Sequence, residues 1–293
     1  MTFDPVRMDP EKEPGTSGAD VSGFVVPSTR TGERMSAALF TPQGGGPRPT
    51  VLLLHGYPGD ENNYDLAHVF QRAGFTTVVF HYRGTWGSEG KFSLCHVLED
   101  VTDMIDFIEA HTGGESYRFD AGRLLLAGHS MGGFAALETA ARDPRPVGVA
   151  AMAAFDFSLA AKLPKLREAV RGEFSDCLPI RRIGLDELMA EIDRHAAEWS
   201  FPALAQGLSG KPVCLIAGTR DRISAPKSHF FPLLEALKRG GVPVVSSLLE
   251  DGHCLSASRI ALADTLIRWA SGLPGLSGQT NARVSSRSGI ATR

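Results

Sequence analysis

Short apolar runs recur along the chain at residues 50–54, 76–80, 123–127, 147–153, 213–217 and 244–249, each bounded by Gly, Pro or charged residues at one end or both. Runs of this length between turn formers predict buried strands. Between them the period changes. Val97, Val101, Met104, Ile105 and Ile108 fall at helical spacing over about residues 96–111, and further helices are predicted directly after Ser130, over about 227–238 and over about 256–269. Alternation of strand and helix predicts an α/β fold, with a mostly parallel central sheet and helices on both faces. Residues 23–26 and 35–40 flank Thr31-Gly32 and suit an antiparallel hairpin on the sheet edge.

One segment breaks the rhythm. Residues 155–208 hold no good strand but contain amphipathic stretches near 159–170 and 185–199. The segment is longer than a simple crossover between parallel strands requires. A helical insertion between two strands is the expectation, resting on the sheet as a cap because so short a helical unit buries too little apolar surface alone. The two ends carry little periodicity, so residues 1–21 and 273–293 are expected to be disordered around a domain over 22–272.

Composition narrows the function. Lys and Arg total 30 against 33 Asp and Glu, a net charge of −3, so no basic surplus announces a nucleic-acid partner. The longest apolar run, residues 147–155, is far short of a membrane span. The acidic, Pro-containing start lacks the apolar core of a signal peptide. Cysteines at 95, 177, 214 and 254 form no CxxC and no short-range pair, which argues against a disulfide framework or zinc ribbon. A cytoplasmic protein without metal or cofactor is the expectation, and a homodimer is left open.

The chemistry concentrates at Gly128-His129-Ser130-Met131-Gly132-Gly133, which follows the strand at 123–127 and opens a helix. A GxSxG between strand and helix holds a serine in a strained turn with its hydroxyl clear of the backbone, at the positive end of the following helix. A second loop, His55-Gly56-Tyr57-Pro58-Gly59, follows the strand at 50–54. Glycine-rich loops there can present a backbone N–H to the same pocket, and the amides of Tyr57 and Met131 are the expected donors to a tetrahedral oxyanion. His55 is read as a brace of its own turn. A serine hydroxyl needs a base. His253, in the loop after the last strand, is the best placed of nine histidines. The base needs an acid. Asp221 follows the strand at 213–217, with Arg220 and Arg222 as competing partners; Asp156, one strand earlier, is its rival.

The order Ser130, Asp221, His253 with an upstream HGxxG-type loop resembles the α/β-hydrolase superfamily over about residues 22–272. His81-Tyr82-Arg83-Gly84-Thr85-Trp86-Gly87-Ser88-Glu89-Gly90 is similar to the YRGxGxSxG loop of bacterial esterases and of the prolyl-oligopeptidase catalytic domain, with Trp86 standing at the motif's second glycine. The resemblance implies a structural role for Arg83 and Ser88, and a helical cap over 155–208. It implies a Ser-His-Asp serine hydrolase acting on an ester, thioester or activated amide of a small-molecule acyl substrate. Acyl transfer, peptidase activity and a non-catalytic binding module remain alternatives on the same residues.

Overall fold

The structure is a computed structural model that describes residues 3–12, 16–176 and 179–276. The elements run β1 (Asp20–Pro27), β2 (Arg34–Thr41), β3 (Arg48–Leu54), α1 (Tyr64–Arg72), β4 (Thr76–Phe80), α2 (Leu94–Ala110), β5 (Phe119–His129), α3 (Met131–Arg142), β6 (Gly148–Met152), α4 (Ser158–Lys162), α5 (Pro164–Ser175), α6 (Leu185–His195), α7 (Phe201–Leu204), β7 (Val213–Gly218), α8 (Phe230–Arg239), β8 (Val244–Leu249) and α9 (Arg259–Gly272). The strands form one sheet in the order β1-β2-β4-β3-β5-β6-β7-β8. β1 and β2 form the antiparallel hairpin, β2 meets β4 antiparallel, and the pairs from β4 through β8 are parallel. This is the α/β-hydrolase fold.

Side chains alternate across the central strands, as a pleat requires. On β3, Leu52 and Leu54 join the apolar cluster beneath α2 and α3, whereas Val51 and Leu53 join the cluster beneath α1 and α9. Both faces of the strand are dry, which explains why it reads as a continuous apolar run. β5 begins at Phe119, earlier than its apolar run, because its first residues pair through backbone with Arg48 and Pro49 across an irregularity at Pro49/Thr50. β8 lies at the sheet edge, with Val245 and Leu248 exposed.

The segment between β6 and β7 is helical. The amphipathic stretch near 159–170 divides into α4 and α5, because Leu163 precedes Pro164 and takes extended backbone, φ −117° and ψ 103°. Phe155, Phe157, Phe174, Leu188, Ile192 and Trp199 join the same cluster as the sheet face beneath them. At the amino end, residues 3–12, expected from sequence to be loose, run along the domain. Arg72 Nε donates to the Pro5 carbonyl at 2.8 Å, and Gln43 Nε2 donates to the Glu11 carbonyl at 2.8 Å. At the other end Leu276 is fully buried, so packing continues past residue 273; residues 277–293 of the expected tail lie outside the described residues. Among the described residues no helix is long and apolar enough to cross a membrane.

Candidate active site

The parallel register sets the site. β3 and β5 are neighbours with Leu54 opposite Gly128, and β5 and β6 are neighbours with His129 opposite Met152. The loops leaving the carboxyl ends of these strands therefore converge, the usual place for a ligand site in such a sheet.

Ser130 occupies the sharp turn between β5 and α3, with φ 56° and ψ −117°. Its amide donates to the Met152 carbonyl at 2.9 Å, and its carbonyl accepts the amides of Phe134 and Phe155. These bonds over-determine a conformation that non-glycine residues rarely adopt. Both glycines of the motif are required by contact. A Cβ on Gly128 would lie 2.1 Å from the Gly132 carbonyl oxygen, and one on Gly132 would lie 2.2 Å from the Leu54 carbonyl oxygen. The turn is thus pressed against itself and against the end of β3.

β7 and β8 bring the other two groups in. A Cβ on Gly218 would lie 2.4 Å from the Gly252 carbonyl oxygen, and the Arg220 amide donates to the Asp251 carbonyl at 2.8 Å. The Asp251 carboxylate holds the second loop by accepting the amides of Gly252 and Ala257. Across these loops His253 Nδ1 lies 2.8 Å from Asp221 Oδ2, and His253 Nε2 lies 2.9 Å from Ser130 Oγ. Burial pushes the Asp221 carboxyl up, but its bond to His253, the attraction of that ring and the amides of Ser224 and Ile223 outweigh this and hold it below the ordinary range. With Asp221 ionised, Nδ1 donates to it and Nε2 is left to accept the serine hydroxyl. Neither flanking arginine competes, since Arg220 reaches the Glu250 carbonyl and Arg222 makes no ion pair among the described residues.

Asp156, the rival acid, is elsewhere engaged. Its Oδ1 accepts the Ser158 amide at 2.9 Å and its Oδ2 accepts the Phe201 amide at 3.1 Å. It fastens the start of α4 to the start of α7. Met131 supplies the first amide of α3, directly after the serine. The loop carrying Tyr57 lies against the turn, because a Cβ on Gly56 would be 3.1 Å from Ser130 Cβ. His55 braces that loop through a 2.7 Å bond between Nδ1 and the Gly56 carbonyl, and burial lowers it to about 3. Trp86 braces it from outside, donating from Nε1 to the Pro58 carbonyl at 2.7 Å. Its φ of 40° explains the glycine usual at that place in the related loop. Arg83 is buried in ion pairs with Asp100 and Glu99, and Ser88 Oγ donates to the His81 carbonyl, so both are structural in position.

Two further histidines lie near these groups, His129 inside the GxSxG motif and His229 in no motif. His129 Nε2 donates to the His253 carbonyl at 2.9 Å, and burial lowers its ring to about 4, so it is neutral and fixes the base's backbone. His229 Nδ1 accepts the Asp156 amide at 2.9 Å; burial lowers this ring also to about 4, which leaves the proton on Nε2. Its ring packs 4.8 Å from Phe155. Aromatic contacts continue from Phe155 to Phe157, Phe174 and Tyr57, which ties the insertion to the loop that carries Tyr57. Ser130 is only 9% exposed. Among the described residues no group of three His, Cys, Asp or Glu could hold a metal ion.

Residues 45–200, more than half the chain, match the family model described as serine aminopeptidase, S33. The chain belongs to this family of α/β hydrolases. It is 27% identical over 182 residues to a 31.7 kDa Escherichia coli protein described as uncharacterized, from the traX–finO intergenic region, and the match covers 60% of this chain and 59% of that one. This chain thus spans under two thirds of the curated relative's length. Among solved structures, the Pyrococcus furiosus esterase PF2001 superposes with a TM-score of 0.63 at 15% identity, covering 88% of this chain and 92% of the esterase. A Mycobacterium tuberculosis puromycin-hydrolyzing peptidase superposes with a TM-score of 0.67 at 18% identity, covering 86% of this chain and 39% of the peptidase. At these identities the structural matches speak for the fold.

Proposed function

We propose that this hydrolase cleaves a carboxylic ester, thioester or activated amide of a small molecule through a covalent acyl-enzyme. The observation that carries the reading is the continuous relay from Ser130 Oγ to His253 Nε2 and from His253 Nδ1 to Asp221, at 2.9 and 2.8 Å. In this mechanism Ser130 Oγ attacks the carbonyl carbon as His253 Nε2 takes its proton. The tetrahedral oxyanion is held by the amides of Tyr57 and Met131. His253 then returns the proton to the leaving group, the acyl group remains on Ser130, and water attacks with His253 again as base. Asp221 stays ionised throughout and stabilises the imidazolium.

Ester cleavage is favoured over an aminopeptidase reaction by the surroundings of the triad. Selection of a free amino terminus calls for a carboxylate at the mouth, whereas the cleft between the acid loop and the insertion carries Lys165 and Arg222 and no acid. The test is a panel of p-nitrophenyl esters of varied chain length beside an aminoacyl-anilide, together with a fluorophosphonate probe on wild type and Ser130→Ala. Esters should turn over and the probe should label only the wild type. Labelling that persists without the serine rejects the nucleophile, and turnover of the anilide alone rejects ester cleavage.

A further inference from the structure

A cleft of about 460 Å³ lies between the α4–α5 turn of the insertion and the loop that follows Asp221. Its volume falls in the range of small-molecule sites. Leu163, Leu166 and Ile223 give it an apolar lining, and two of these are more exposed than apolar side chains usually are, Leu163 at 47% and Ile223 at 56%. His229 forms part of its wall, and that ring packs on Phe155, whose amide is bonded to the Ser130 carbonyl.

The charges of this cleft are of one sign. Lys165, in the first turn of α5, and Arg222, next to Asp221 in sequence, both line it, and no carboxylate does. Among the described residues neither cation makes an ion pair or a side-chain hydrogen bond. Glu168, one helical turn beyond Lys165, neither lines the cleft nor pairs with that lysine. Most other arginines near the insertion are engaged: Arg167 with Asp193, Arg171 with Asp186, Arg181 with the Ser88 carbonyl and Arg182 with the Phe174 carbonyl. Two uncommitted cations on an apolar floor, one helical and one from the acid loop, meet only across this cleft. The amino-terminal end of α5 adds its positive dipole end to theirs.

We propose that the cleft is a subsite for a carboxylate carried on an aliphatic or aryl part of the substrate, with Lys165 and Arg222 as its specificity-determining residues. The proposal rests on the ester-hydrolase reading for its connection to turnover. The chain of the ligand covers Leu163, Leu166 and Ile223, and its charge lies between the two cations. Because both are solvent-exposed, each contributes modestly, and together they favour the charged ligand by about tenfold.

Two substrate pairs test this. In the first, the p-nitrophenyl ester of a dicarboxylic acid is compared with its terminal carboxamide, which puts the charge on the acyl side. In the second, para-acetoxybenzoate is compared with para-acetoxybenzamide, which puts it on the leaving group. One pair should show about a tenfold preference for the carboxylate in kcat/KM, expressed chiefly in KM. The preference should shrink as salt rises towards about 0.5 M, where exposed charges are screened. It should reverse in Lys165→Glu/Arg222→Glu and vanish in Lys165→Met/Arg222→Met. A carboxylate-to-carboxamide ratio near one in both pairs, or a preference that survives the double substitutions, overturns the proposal. Should no ester of any kind be turned over, the ester-hydrolase reading fails by itself. Calorimetric titration of Ser130→Ala with the same four compounds then decides the subsite: carboxylate-selective binding that Lys165→Glu/Arg222→Glu abolishes upholds it, and equal or absent binding overturns it.

Discussion

Mild acid should destabilise this protein steeply, through histidines that the fold keeps neutral. His55 is lowered to about 3, His129 to about 4 and His229 to about 4, in each case chiefly by burial. Unfolded, each ring would titrate near 6.5. The unfolded chain therefore binds more protons than the native one between about pH 6.5 and pH 4, and stability must rise with pH across that window. Moving from pH 7 to pH 5 costs about 2 kcal/mol for each such ring, or about 5 to 6 kcal/mol for three. Asp100 opposes the trend. Burial pushes it up to about 6, so acidification relieves a buried charge and returns about 1 kcal/mol. The net loss of about 4 kcal/mol is comparable with the whole stability of many domains. Urea unfolding followed by circular dichroism at pH 7, 6 and 5 reads it directly. The midpoint should fall steadily, and His229→Asn should flatten the slope by about one proton. A midpoint that stays constant from pH 7 to pH 5, or a slope indifferent to that substitution, refutes the assignment of neutral buried rings.

Four further outcomes follow from the site. Asp221→Asn should lower kcat on the best ester by on the order of 10⁴, since the imidazole then prefers the wrong tautomer. Asp156→Asn should lower thermal stability while leaving kcat within about tenfold, because its carboxylate faces two helix-start amides and not His253. Gly128→Ala should cost more than about 3 kcal/mol in urea unfolding, given a Cβ 2.1 Å from a backbone oxygen that has nowhere to move. Trp86→Phe, which keeps the ring but removes the donor to Pro58, should cost about 1 kcal/mol and slow acyl-enzyme formation by letting the oxyanion loop drift, measurable as a reduced burst rate.

Much of the site is legible in the sequence because backbone geometry constrains it. Ser130 needs a positive φ and bare neighbours, so glycines must stand at 128 and 132, and the pattern is visible. Asp221 and His253 follow the two last strands, where chain order alone brings them to one end of the sheet. Strand positions are legible for a similar reason, since β4 and β8 match their apolar runs at both ends. Other features leave no such trace. Helix α1 carries Leu66, Ala67 and Phe70 on its buried face, a helical spacing available in the sequence but overshadowed by the polar residues around it. The break between α4 and α5 is written in Pro164, yet amphipathic periodicity runs across it. His229 sits in no motif and becomes important only because α8 starts beside Asp156. The charge of the cleft is wholly tertiary, for Lys165 and Arg222 lie in different elements and line one cleft only in the folded chain.

The double grip of Asp156 has an evolutionary consequence. One carboxylate holds both the first amide run of the inserted helices and the start of α7, where the chain re-enters the domain. The insertion is therefore a cassette clasped at its two roots by a single side chain. What lies between those roots is also held to the domain where Glu191 accepts the Leu94 and Cys95 amides and where Arg181 pairs through backbone with Gly84 and Phe92, so an exchanged segment must keep the clasp and these contacts. Selection on substrate range can then act on the helices while the relay beneath them is inherited unchanged. Laboratory chimeras joined just outside Asp156 and Phe201 exploit the same seam, and grafts that retain the aspartate should fold where those that replace it lose their docking.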